Sequence, residues 1–162
     1  MKFSAHFIVP ADGSLLPKAI VEVDASGTIV RLIETSTELR EQAGMEFHSG
    51  LICPAFINLW QLANTDEMMR RLPELEAFRS FIPQDTSHPK AIFNWIKAIQ
   101  ENVADSSLTA LIGLFTARAA QAFNVDDAGL IATGKRPGLI LISGIDYANF
   151  KLKADSRLKK LI

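Results

Sequence analysis

Gly50-Leu51-Ile52-Cys53-Pro54-Ala55-Phe56-Ile57-Asn58-Leu59-Trp60-Gln61-Leu62 is the stretch where the hydrophobic period of this chain changes. Upstream, the alternation is that of strands. Val21 and Val23 alternate with Glu22 and Asp24, and Val30 and Leu32 flank Arg31 after the turn Ala25-Ser26-Gly27, which predicts a hairpin over Ala19 to Ile33. A further strand is expected over Lys2 to Val9, ended by Pro10 and the Asp12-Gly13 turn signal, and another over Met45 to Cys53. Ser36 or Thr37 is placed to cap a short helix running to Gln42 and stopped by Gly44.

Downstream, the period is that of helices. Asp66 to Ser80 has helical composition broken at Pro73, which predicts two short helices. Ser87-His88-Pro89 reads as a helix start, followed by Ile92, Trp95, Ile96, Ile99 and Val103 on one buried face. Asp105 to Ser107 opens another helix, with Leu108, Leu111, Ile112, Phe115, Ala119 and Ala122 at helical spacing. After Gly129 strands return: Leu130 to Ala132, Gly138 to Ser143, Phe150 to Leu152 and Arg157 to Ile162. Strands, helices and strands again predict one α+β domain over residues 1–162, with a sheet built from both chain ends.

Composition narrows the function classes. The 162 residues, 48% of them hydrophobic, suffice for a single core. Seventeen basic and eighteen acidic residues are dispersed along the chain, which argues against nucleic acid or an anionic membrane as partner. No apolar run has the length of a membrane span or a secretory signal, so a cytoplasmic location is the expectation. One cysteine, Cys53, excludes an internal disulfide and a thiolate zinc cluster.

Two stretches resemble the amidohydrolase superfamily. Gly50 to Leu62 is similar to the signature in which a glycine, apolar residues and Pro-Gly-Phe-Val/Ile-Asp/Asn lead into a His-x-His metal motif. Thr116-Ala117-Arg118-Ala119-Ala120, then Gly129-Leu130-Ile131-Ala132-Thr133-Gly134-Lys135-Arg136-Pro137-Gly138-Leu139-Ile140, resembles the last helix and return strand of that family, and the Asp24 to Ile29 turn resembles its opening strands. The resemblance implies a composite β-sandwich, with halves at 1–58 and 124–162 and a helical insertion at 59–123. It covers roughly the first 60 and last 55 residues, leaving about 45 to 60 between them, where a catalytic TIM barrel needs roughly 200 or more. No barrel is expected.

The departures matter for function. Trp60 and Leu62 stand at the former metal-ligand positions, and neither side chain can ligate a divalent metal. Ala55 replaces a usual glycine, Gly138 a usual aspartate, and Arg118 a common asparagine. His6, His48 and His88 lack ligand spacing, so no catalytic residue, metal or other cofactor is expected. Cys53 and His48 share one strand at odd spacing and should face opposite sides, while Glu74, Glu76 and Asp85 read as a solvated face. Gly134 to Gly138 reads as a tight turn.

Trp60 and Leu62 are expected to be buried under the helices. Trp60, Phe78, Phe81, Trp95 and Phe115 form a candidate interface or pocket, since loss of the barrel would uncover apolar surface. The resulting expectation is a non-catalytic, amidohydrolase-like domain acting as a homodimer or on a protein partner. A regulatory or complementing subunit of a barrel-bearing amidohydrolase and a binder of small ligands through the aromatic helical segment are the alternatives.

Overall fold

A computed structural model of the chain describes residues 1–36 and 38–162. Strands β1 (Lys2–Ile8), β2 (Leu16–Pro17), β3 (Ile20–Val23), β4 (Ile29–Ile33) and β5 (Met45–Pro54) precede the helices, and β6 (Leu139–Asp146) and β7 (Lys151–Lys160) follow them. They join one open seven-stranded sheet in the order β4-β3-β1-β5-β6-β7, with β2 beside β1. Strands from both chain ends therefore share a sheet, and an α+β architecture without a barrel results. The two stacked sheets of a sandwich are not separate here, because β5 pairs parallel with β1 on one side and antiparallel with β6 on the other.

Period-2 alternation assigns the two faces of β5 and β6. Leu51, Cys53, Ile140 and Ile142 point into a core shared with the helices; Ile52, Leu139 and Leu141 point into a second core with Val21, Val23 and Ile29 of the hairpin. The second core exists because the sheet curls back on itself. The Ile29 N–H donates to the Lys135 carbonyl at 2.8 Å and the Gly134 N–H donates to the Ile29 carbonyl at 2.9 Å. On β1, Phe3 and Ala5 precede a register slip and Ile8 follows it, yet all three join the second core, so the irregularity flips the alternation.

The hairpin turn is held by Asp24, whose carboxylate accepts from the Ser26 N–H at 2.8 Å and the Thr28 N–H at 3.0 Å. Those bonds, with that of the Ser26 hydroxyl as the largest influence, hold the Asp24 carboxyl below its usual range.

Helices α1 (Thr65–Arg71), α2 (Ala91–Asn102), α3 (Leu108–Gly113) and α4 (Ala119–Ala122) cover one sheet face. Ile92, Trp95, Ile96 and Ile99 of α2 are buried as their spacing predicts. Gln100 ties this layer to the sheet: its side chain accepts from the Leu152 N–H at 2.9 Å and donates to the Ser106 carbonyl at 3.2 Å. Lys97 donates to the Ala154 carbonyl, so α2 shields part of the β7 edge.

Several local expectations differ. Residues 38–44 form no helix, and the Thr37 cap lies outside the described residues. After Pro73 the chain takes a 3-10 helix, Pro73–Phe81, instead of an α-helix. Helix α2 begins at Ala91, beyond Pro89, because the Ser87 hydroxyl and N–H bond the Asp85 carboxylate in a turn of their own. Residues 130–132 form no strand, since Ile131 makes a single backbone bond, to the Pro10 carbonyl. The two last expected strands are one, β7, folded against β6 with a slip between Ser143 and Ile145.

Gly50 sits at φ +147, and a Cβ there would lie 2.4 Å from the Ile142 carbonyl oxygen. Gly50→Ala should lower unfolding free energy by about 2 to 4 kcal/mol, from a backbone clash added to a rare conformation, as read by urea denaturation.

Candidate functional site

Residues 108–122 form one continuous helix that is not uniform. Between α3 and α4, Leu114–Arg118 widens into a π-turn, in which the Ala119 N–H donates to the Leu114 carbonyl. The Phe115 carbonyl then accepts the Ile57 N–H at 2.9 Å, tying the helix to the segment that leaves β5. The buried Thr116 hydroxyl donates to the Ile112 carbonyl at 2.5 Å and satisfies itself within the helix. π-turns inside α-helices recur at functional sites because the extra residue rotates the side chains beyond it.

Beside this turn runs a groove of about 680 Å³. Val9, Phe78, Leu111 and Leu114 give it apolar walls, and Glu74 and Arg118 close one rim. Its volume lies within the range of roughly 300–1,000 Å³ usual for small-ligand sites. Arg118 donates to the Glu74 carboxylate at 2.7 Å and to the Gln121 side chain at 2.9 Å. The hydrogen bond from Arg118 is the main cause that holds the Glu74 carboxyl below its usual range, so this bridge survives acidification further than a free glutamate would.

Two more local costs fall on the same groove. Gly113, inside the helix, lines it, and a Cβ at that position would meet nothing within 4 Å. Packing does not require this glycine, which costs a helix interior about 0.5–1 kcal/mol relative to alanine. Ala11, on the opposite wall, holds φ at +76, a conformation that costs a residue with a Cβ roughly 1–2 kcal/mol. A π-turn, an unneeded helical glycine and a strained alanine thus meet at one cavity. Departures from local preference cluster at functional sites in proteins generally.

The sequence-expected aromatic group gathers on one core, but most of it does not line the groove. Trp95 and Phe115 are fully buried, with ring centroids 5.0 Å apart. Trp60, expected to be buried, is only half-buried against the same core, as is Phe81, and Phe78 alone of the five lines the groove. Leu62 is 47% exposed, which corrects its expected burial: the 3-10 turn Leu59–Gln61 directs Leu59 inward instead. Trp60 packs on Trp95 at 5.5 Å, but its buried indole N–H has no partner among the described residues, whereas the Trp95 N–H donates to the Phe78 carbonyl at 2.9 Å.

The other chemistry-bearing residues lie apart. His6 bonds the Tyr147 hydroxyl, His48 stacks on Phe3, and His88 accepts the Lys90 N–H. Among the described residues no three of His, Cys, Asp and Glu are grouped to hold a metal. Cys53 is fully buried, and burial pushes its thiol far up, away from thiolate reactivity. Of the acidic residues read as a solvated face, Glu74 pairs with Arg118 and Glu76 with Arg79, while Asp85 holds the Ser87 turn. Ala55 and Gly138, two departures from the resembled signature, are neighbours: the Ala55 N–H donates to the Gly138 carbonyl, and a Cβ at residue 138 would lie 3.2 Å from that of Ala55.

The groove went unread in the sequence, although glycine inside Leu111-Ile112-Gly113-Leu114 was a visible anomaly. No helix among the described residues is long and apolar enough to cross a membrane. No protein-family model, curated protein or solved structure matches the chain.

The two tryptophans give a differential test. Trp95→Phe should cost about 2 to 4 kcal/mol, because it opens a cavity and strands a carbonyl acceptor. Trp60→Phe should cost clearly less, since it also removes an unpaired buried donor, and Leu62→Ala should stay within about 0.5 kcal/mol. Chemical denaturation of the three variants checks the order.

Proposed function

We propose that the chain is a non-catalytic binding domain of amidohydrolase-like sandwich ancestry, which captures a small amphipathic ligand in the groove beside the π-turn. The convergence of Gly113, Ala11 and the π-turn on one cavity carries this reading. Trp60 and Leu62 support the non-catalytic part, because neither offers a lone pair where the resembled family binds metal.

A neutral fluorescent probe, N-phenyl-1-naphthylamine, tests the groove. The parent should show saturable, one-to-one enhancement that Gly113→Phe abolishes by filling the cavity. Gly113→Ala should keep binding and gain about 0.5–1 kcal/mol of stability. Gly113→Met is a second, more flexible plug should the phenylalanine variant misfold. Absence of saturable binding, or binding unaffected by either plug, overturns the reading.

A second reading, self-association or docking of a protein partner, is favoured by a ring cluster on the sheet. Phe47 is 41% and Tyr147 42% exposed, and both contact the His6 ring. Phe7 and Phe150 connect this cluster to the helical core. On this reading the parent runs as a dimer in light scattering at micromolar concentration, and Phe47→Ser with Tyr147→Ser makes it a monomer. A monomeric parent removes the self-association form.

A further inference from the structure

The polar groups around the groove specify the sign of its ligand. Three charged side chains line it: Glu74, Asp105 and Arg118. Arg118 is neutralised by Glu74 and has a second bond to Gln121. Asp105 is exposed, and none of the hydrogen bonds or ion pairs among the described residues engages its carboxylate. The remaining charge is therefore one carboxylate.

Two of the hydroxyls point the same way, because the protons of Ser14 and Ser106 are already committed. Ser14 donates to Asp12 at 2.5 Å, Ser106 donates to the Val103 carbonyl at 2.7 Å, and Ser107 and Thr109 bond each other at 2.9 Å. Each hydroxyl oxygen has two lone pairs, so Ser14 and Ser106 still offer a ligand acceptor capacity, while the Ser107–Thr109 pair, whose Ser107 oxygen also accepts the Ala110 N–H, keeps one proton to donate. An ammonium head, with three donors and no acceptor, complements Asp105 and these oxygens; a carboxylate head is repelled by Asp105.

Resting on the groove reading above, we propose that the groove binds an apolar chain or ring bearing one ammonium head, with the tail between Phe78, Leu111 and Leu114 and the head accepted by Asp105. The apolar walls then supply most of the affinity. The carboxylate supplies the selection among ligands of equal apolar size.

Three eight-carbon ligands that differ in head group alone test this: octylammonium, octan-1-ol and octanoate, each competing with N-phenyl-1-naphthylamine at pH 7 in low salt. Octylammonium should displace the probe at a concentration about tenfold below octanoate, the combined size of one attraction and one repulsion at an exposed charge. Octan-1-ol should fall between them. The preference should shrink in about 1 M salt, where the screening length is about 3 Å.

Asp105→Asn should bring octylammonium and octan-1-ol to similar affinity, with circular dichroism checking that the variant is folded. Equal competition by all three ligands in the parent overturns the proposal. So does a preference for octanoate, which would mean that a carboxylate displaces Glu74 from Arg118. Failure of the neutral probe itself removes the groove reading and this inference together, whereas probe binding without ammonium preference removes this inference alone.

Discussion

Strand β5 is the constraint on which the rest of the structure depends. Leu51, Ile52 and Cys53 are fully buried, and their backbone polar groups have no access to water, so each must be paired by a neighbouring strand. β1 supplies one side and β6 the other, although 84 residues lie between Pro54 and Leu139. The central strand is therefore unsatisfied until the end of the chain arrives. Everything between Pro54 and Leu139 has to be compact enough to let β6 return. A fold closed by so distant a pairing has high contact order, which goes with slow folding.

The inserted helices meet that demand and also cover one face of the sheet. Gln100 shows how closely the two tasks are joined, since one buried amide bonds both the β7 backbone and the loop before α3. The π-turn does similar work at the opposite end of the layer. By withdrawing the Phe115 carbonyl from the helix ladder it provides an acceptor for Ile57, where the chain has just left β5 and has no strand partner. The same extra residue rotates the following turn and sets Arg118 at the groove rim beside Glu74.

The groove is thus a consequence of how the helical layer is anchored, but its openness has a separate cause. A methyl group or larger on residue 113 would project into unoccupied space, and the wall opposite is formed by a residue held in a left-handed conformation. Together these cost about 2 kcal/mol, a noticeable share of the roughly 5–15 kcal/mol by which a domain is stable. The aromatic residues, by contrast, are spent on packing. Trp95 and Phe115 fill the centre of the core, and Trp60 lies against Trp95.

Alternation and helical spacing by themselves determined the α+β class, the hairpin, the buried face of α2 and the derivation of the sheet from both chain ends, because burial imposes periods of 2 and 3.6 on any sequence. They could not determine that Leu62 faces outward while Leu59 faces inward, since a single 3-10 turn has no period long enough to read. They could not separate one curled sheet from two stacked ones either. That choice depends on β5 having partners on both edges, 43 to 91 positions away in the chain, and on the Ile29 bonds to the 134–135 turn, more than a hundred positions away. The groove, likewise, was decided by tertiary structure alone. Its walls come from the loop after β1, the 3-10 helix and the π-turned helix, and a cavity between three separate segments leaves no pattern in any one of them.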